Sequence, residues 1–143
     1  MRELIQERLW IGNSRDVHDI RSVLARGITS VIDLAIDELP AVYPRDIIYC
    51  RFPLIDGGGN SPVVLHATIQ TAITLVNGGV ATLVACSLGM SRSPCIAAAI
   101  LSNVEQIDAD DALQRILLHE PHDVSANLWA DIKLSMRRMT KPA

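Results

Sequence analysis

The spacing of apolar residues changes several times along the chain, and each change marks an element. Leu4–Ile11 reads as one short opening strand that ends at Gly12-Asn13. Over Arg15–Arg26 the apolar residues Val17, Ile20, Val23 and Leu24 share a helical stripe, and Gly27 supplies the stop. Ile28–Ala35 is rich in β-branched residues and predicts a strand, as does Ile47–Leu54. A loop, Asp56-Gly-Gly-Gly-Asn60, comes next. Ser61-Pro62 is then a cap and first-turn pair for a helix with Leu65, Ile69, Ala72, Ile73 and Val76 on one face. That helix stops at Gly78-Gly79. Val80–Ala85 is nearly continuous apolar sequence, the pattern of a strand buried on both faces. After Pro94 an Ala/Ile/Leu-rich helix runs to about Val104, and Asp108 or Asp110 caps another reaching about His119. Ser125 caps a last one, with Leu128, Ile132, Met136 and Met139 along its stripe. Strands alternating with helices, followed by a run of helices, predict a single layered α/β domain over residues 1–143. Its central sheet is short, mostly parallel and flanked by helices.

Composition narrows the class. The 143 residues are 49% hydrophobic and 20% charged, which excludes a disordered tail and fits a compact globule. A net charge of −3 gives no basic field for nucleic acid or an anionic membrane. Three cysteines, at 50, 86 and 95, do not make a disulfide scaffold and point to a reducing compartment. The first eight residues are charged rather than signal-like, and the apolar runs Val80–Cys86 and Ile96–Leu101 fall far short of the ~20 residues of a membrane span. A cytoplasmic protein is expected, with a monomer favoured and the oligomeric state left open.

The chemistry concentrates in Val84-Ala-Cys86-Ser87-Leu88-Gly89-Met90-Ser91-Arg92-Ser93-Pro94. It sets a cysteine at the carboxyl end of a buried strand, where open α/β sheets bind ligands. The loop then enters a helix, so its amides converge on an anion and the helix dipole adds to their field. Gly89 permits a tight loop conformation, and Arg92 offers a planar fork to two phosphate oxygens at once. The same field favours the thiolate of Cys86, making it a nucleophile aimed at phosphorus. Ser93 is placed to hydrogen-bond that thiolate and help it leave. Cysteine and arginine six apart are uninformative alone, and the strand before, the glycine within and the helix after carry the reading.

Cys86-Ser-Leu-Gly-Met-Ser-Arg92-Ser93 resembles the phosphate-binding loop of the cysteine-dependent protein tyrosine phosphatases. Leu9-Trp-Ile-Gly-Asn-Ser14 and Gly27-Ile-Thr-Ser-Val-Ile-Asp-Leu-Ala35 are similar to the first strands of the small dual-specificity branch, and Glu120-Pro121 with Asn127 to a later Arg-Pro…Pro-Asn segment. Low-molecular-weight phosphatases and arsenate reductases carry the same spacing near the N-terminus, which a cysteine at 86 disfavours. Sulfurtransferases of the rhodanese type generally have a loop one residue shorter. The resemblance implies a metal-independent phosphatase without a cofactor, acting on phosphotyrosine, and also phosphoserine or phosphothreonine, in a protein or peptide. Cys86 attacks to form a phosphocysteine, Arg92 and the amides of residues 87–92 hold the equatorial oxygens, and Ser93 assists release.

A leaving alkoxide or phenoxide needs a proton, and the attacking water must later lose one. Asp56 is the candidate, following a strand and lying 30 residues before Cys86, close to the family's usual separation. Gly57-Gly58-Gly59 predicts a loop able to close, although Asp-Gly is also an ordinary turn pair. Asp33 and Asp37, one within a strand and one just beyond it, are weaker candidates. Ala85 departs from the family, which usually has histidine there to brace the loop. The alternative is therefore a phosphopeptide-binding pseudophosphatase with weak or no turnover. Of the other residues, Cys95 reads as core, and Cys50 as packing before a redox partner of Cys86. The scattered histidines 18, 66, 119 and 122 give no metal site. Trp10 and Trp129 read as core or rim, Arg45 and Arg51 as solvated unless they add field near the pocket, and Asn13 as a turn residue or a brace for the cysteine loop.

Overall fold

The computed structural model describes residues 1–140. A hairpin of β1 (Arg2–Ile5) and β2 (Leu9–Gly12) opens the chain, where the sequence pattern suggested one strand. The turn is made by Glu7 at φ 60°, a value uncommon outside glycine. It is held by Arg8 N–H on the Ile5 carbonyl and by the Glu7 amide on its neighbour Glu3 Oε2, both at 3.0 Å. The helix expected over 15–26 is also two pieces, α1 (Ser14–His18) and α2 (Ile20–Ala25). Asp19 breaks it at ψ 72° and uses its carboxylate to cap α2, accepting from Ser22 N–H at 3.2 Å. Val17 and Val23 stay buried, while Leu24 turns outward.

Next come β3 (Ser30–Ala35) and β4 (Ile48–Leu54), then α3 (Pro62–Asn77) and β5 (Thr82–Ala85). Ser61 caps α3 through Val64 N–H, Pro62 occupies its first turn, and all five residues of the expected stripe are buried. The chain ends in α4 (Arg92–Glu105), α5 (Ala109–Leu117) and α6 (Ala126–Thr140). Asp108 is the residue that caps α5, and Ser125 Oγ accepts from Leu128 N–H at the start of α6.

The strands form one mixed sheet in the order β1-β2-β5-β3-β4, antiparallel only at the opening hairpin. This is the short, mostly parallel α/β sheet that the alternation predicted. β5 lies at its centre with every residue buried. Alternate residues of β5 serve two cores. Val84 packs with Ile96 and Ile100 of α4 and with α3, α5 and α6, while Leu83 and Ala85 join Val17, Val23 and Val31 on the other face. β3 and β4 are parallel neighbours with no helix between them. Instead residues 36–47 return over the second face, where Tyr43 donates to the Val17 carbonyl at 2.5 Å and stacks on Tyr49. Burial holds both phenols protonated, with pKa values pushed up to about 12. From Arg92 to Leu101, α4 is buried on all sides, so its N-terminus is fixed against the carboxyl edge of the sheet.

Candidate active site

Cys86 is the first residue past β5, and only five residues separate it from the arginine that opens α4. The loop is tied to the sheet by backbone. Cys86 N–H reaches the Gly12 carbonyl at 3.4 Å, and Ser14 N–H reaches the Ser87 carbonyl at 3.1 Å. Gly89 sits at φ 75°, and a Cβ there would come within 3.1 Å of the Gly12 oxygen, so the turn needs glycine. The bend folds Gly89 N–H onto Cys86 Sγ at 3.2 Å. On its other side the sulfur lies 3.3 Å from Ser93 Oγ, which stands between it and the Gly12 carbonyl, also at 3.3 Å. The thiol is 2% exposed, at the base of a cleft of about 410 Å³.

α4 begins without a side-chain cap. Ser91 occupies the capping position, yet its hydroxyl accepts from Ser125 N–H at 3.0 Å and makes no bond to the first-turn amides. With the Asp123 amide on the Met90 carbonyl at 3.0 Å, this joins the far end of the loop to the segment before α6. The orphan N–H groups of a helix start, with the positive end of its dipole, are thus directed to the cleft that also holds the sulfur.

The Arg92 side chain is buried, 6% exposed. Nη1 donates to the Leu54 carbonyl at 3.0 Å and to Asp37 Oδ1 at 2.9 Å, and Nη2 reaches Asp37 Oδ2 at 3.4 Å. Nε is buried with no partner. Burial works against the arginine's charge, but the hydrogen bond to Asp37 together with the attraction of Cys86, Asp37 and Asp56 leaves its pKa raised. In return, Asp37 is held below the ordinary carboxylate value, chiefly by its hydrogen bond from Arg92. Asp37, set aside in the sequence because it lies just past a strand, is therefore a direct partner of the arginine. Its segment is fixed from behind by Arg51, which donates to the carbonyls of Ala35 at 2.6 Å and Glu38 at 2.9 Å. Glu38 in turn accepts from Ser87 Oγ at 2.6 Å.

Asp56 lines the same cleft as Cys86 and Arg92. The glycine loop after it is clasped by Asn60, which sequence reasoning passed over. Its side chain takes Ile55 N–H at 2.7 Å and gives its amide to the carbonyls of Ile55 at 2.9 Å and Gly57 at 3.2 Å. Gly58 packs against Asn127 of α6. Asp123 also lines the cleft and had no signal in the sequence. The structure brings together Cys86, Ser87, Leu88, Met90, Ser91, Arg92 and Asp56 around one cleft, with Gly89 and Ser93 bonded to the sulfur.

Other residues do structural work. Asn13 caps α1 in a reciprocal box with Asp16, so the brace for the cysteine loop comes from the backbone of 12–14 and not from its amide. Ala85 is fully buried in the second core and pairs in register with Asp33. Asp33 accepts from Tyr49 at 2.6 Å and from Ala35 N–H at 3.1 Å. Cys95 is enclosed in the main core, where burial pushes its thiol up to about 12. Cys50 lies on the row of Ile32 and Val84, two strands from β5. That is roughly 10 Å across the sheet, beyond disulfide reach of Cys86. Trp10 and Trp129 are buried, Arg45 is exposed, and among the described residues no cluster of His, Cys, Asp or Glu is arranged to hold a metal ion. No helix among the described residues is long and apolar enough to cross a membrane.

No family model and no curated protein matches the chain by sequence. Solved structures do match. Human DUSP28 superposes with a TM-score of 0.78 at 19% identity, over 93% of this chain and 94% of its own. A mouse putative dual specificity phosphatase complexed with zinc tungstate gives 0.79 at 21% identity, over 97% and 92%. The human tyrosine phosphatase-like serine/threonine/tyrosine-interacting protein gives 0.75 at 16% identity, over 94% of each chain. The fold is that of the dual-specificity phosphatases.

Proposed function

We propose that the protein is a phosphomonoesterase that hydrolyses phosphotyrosine, and also phosphoserine or phosphothreonine, through a phosphocysteine. The observation that carries this reading is the convergence at the start of α4. There a thiol receives an amide and lies beside a hydroxyl, a helix leaves its first-turn amides uncapped by its own serine, and a buried arginine keeps an unpartnered Nε. Such a site suits a tetrahedral dianion with a nucleophile beneath it.

In the first step Cys86 Sγ attacks phosphorus in line. The S–P bond forms as the P–O bond to the leaving group breaks. Arg92 and the loop amides stabilise charge on the equatorial oxygens. Asp56, protonated, gives its proton to the leaving oxygen. In the second step water attacks phosphorus, Asp56 takes its proton, and the S–P bond breaks with Ser93 Oγ supporting the departing thiolate. The fold's similarity to phosphatases supports this reading.

Turnover of p-nitrophenyl phosphate from about pH 5 to about pH 8 in the presence of a chelator tests it. Activity should persist in the chelator, vanish in Cys86→Ser and lose its basic limb in Asp56→Ala. Turnover retained by Cys86→Ser would overturn the mechanism. Two features favour the second reading, a phosphopeptide-binding pseudophosphatase. Ala85 lacks the histidine brace, and Asp37 holds one edge of the arginine fork. That reading predicts saturable phosphopeptide binding by wild type without release of phosphate.

A further inference from the structure

The charges around the cleft are unusual for a site that receives a dianion. Asp37, Asp56 and Asp123 line it, and among the described lining residues Arg92 is the one cation. Glu38 adds a fourth carboxylate beside Ser87. The loop amides and Arg92 supply attraction at the base, where the phosphate sits. At the mouth, three carboxylates face one guanidinium that is already neutralised by Asp37.

A phosphate can take the unpartnered Nε and the second N–H of Nη2, which leaves Asp37 on the Nη1–Nη2 edge of the guanidinium. Asp37 cannot retreat into the protein: its side chain is 54% exposed and its backbone is pinned through Arg51. Its carboxylate therefore stays at the mouth with Asp56 and Asp123, next to a dianion. That arrangement is repulsive unless the substrate brings positive charge of its own. Apolar side chains stand around the same opening, with Ile36 at 53%, Ile55 at 49% and Leu88 at 73% exposed. They offer contact to a ring and neighbouring side chains, which a small aminoalkyl phosphate does not have.

We propose that the cleft selects phosphorylated peptides with arginine or lysine beside the phosphoresidue, Asp37 sharing its exposed carboxylate between Arg92 and the substrate's cation. Asp37 is then a specificity-determining residue that works twice, as counter-ion of Arg92 and as recognition group for the substrate's cation. This rests on the phosphate-binding reading of the same cleft and adds the class of substrate.

The test uses phosphotyrosine peptides of one length with flanking arginines, glutamates or neutral residues, together with phosphoethanolamine and p-nitrophenyl phosphate. Wild type should prefer the arginine peptide over the glutamate peptide by about tenfold in kcat/KM at low salt, and by about twofold in 0.5 M salt. Asp37→Asn should lose most of that preference while its KM for p-nitrophenyl phosphate falls, a combination that a merely structural aspartate would not produce. Asp123→Asn should lose a smaller part. Equal use of the two peptides, or preference for the acidic one, overturns the proposal, and phosphoethanolamine outperforming the arginine peptide overturns the peptide as the cation's source. Calorimetric binding of the same peptides to Cys86→Ser reads the preference without turnover. If p-nitrophenyl phosphate is not hydrolysed but the arginine peptide binds more tightly, the enzyme reading fails and the charge preference stands.

Discussion

Two helices in this molecule start with a serine at the capping position and a proline within the first turn, and they use that serine in opposite ways. At α3, Ser61 turns its hydroxyl onto Val64 N–H and Pro62 removes a donor that would otherwise be orphaned. At α4, Ser91 turns its hydroxyl away to Ser125, and Pro94 comes two residues later than Pro62 does in its own helix. The first start is self-sufficient and exposed. The second is enclosed by a sheet edge, a cysteine and an arginine, and its first-turn amides receive nothing from the capping side chain. A helix N-terminus stays open to an anion when its own cap is spent elsewhere; the residue types alone do not decide it.

The comparison can be broken most severely at Arg92. Arg92→Lys keeps the charge but loses the fork, and kcat/KM should fall about 10²- to 10³-fold. A loss of less than about tenfold would mean that the amides suffice without it.

The serines come next. Ser91→Ala leaves Ser125 N–H without its acceptor and should cost about 1–3 kcal/mol in chemical denaturation, with reduced anion affinity because the loop end loosens. Ser61→Ala should cost about 1 kcal/mol with kcat/KM unchanged. Equal effects of the two changes on activity would erase the distinction between the helix starts.

The smallest effect is a titration. Arg92 lowers the pKa of Asp37, so their pair contributes stability above the ordinary carboxylate range, and that contribution is lost as pH falls through the lowered value. An anion on the free edge of Arg92 offsets part of the guanidinium's charge, so the Asp37 midpoint, followed by carbon NMR, should climb toward 3.8 when sulfate is added. Sulfate affinity should correspondingly rise as pH falls and Asp37 is neutralised. A midpoint indifferent to sulfate would place the anion somewhere other than the arginine fork.

Much of the frame was legible because it rests on local chemistry. Ser61-Pro62, the α3 stripe and the apolar run before Cys86 each state their structure within a few residues. The two misread segments lacked such signals. Glu7 takes a positive φ without being glycine or asparagine, and Asp19 interrupts a stripe of apolar residues that continues on either side of it. At the site, the cysteine loop was legible because strand, glycine and helix are consecutive. Asp37 and Asp123 were not, since they reach the cleft from segments far apart in sequence. Asp37 gets there only because β3 ends at the same sheet edge as β5. Asn60 was missed for a different reason. An asparagine beside glycines looks like any turn residue, and its three hydrogen bonds depend on the loop having already closed.

That clasp also ages. Asn60 holds Ile55 from both sides because a carboxamide is acceptor and donor at once. Hydrolysis of that amide to a carboxylate, the ordinary slow chemical fate of asparagine, would leave the bond from Ile55 N–H intact. It would turn the bonds to the carbonyls of Ile55 and Gly57 into contacts between oxygens. The segment bearing Asp56 would be released with no change in the encoded sequence, and a stored sample would drift in its pH profile before it drifted in its melting temperature.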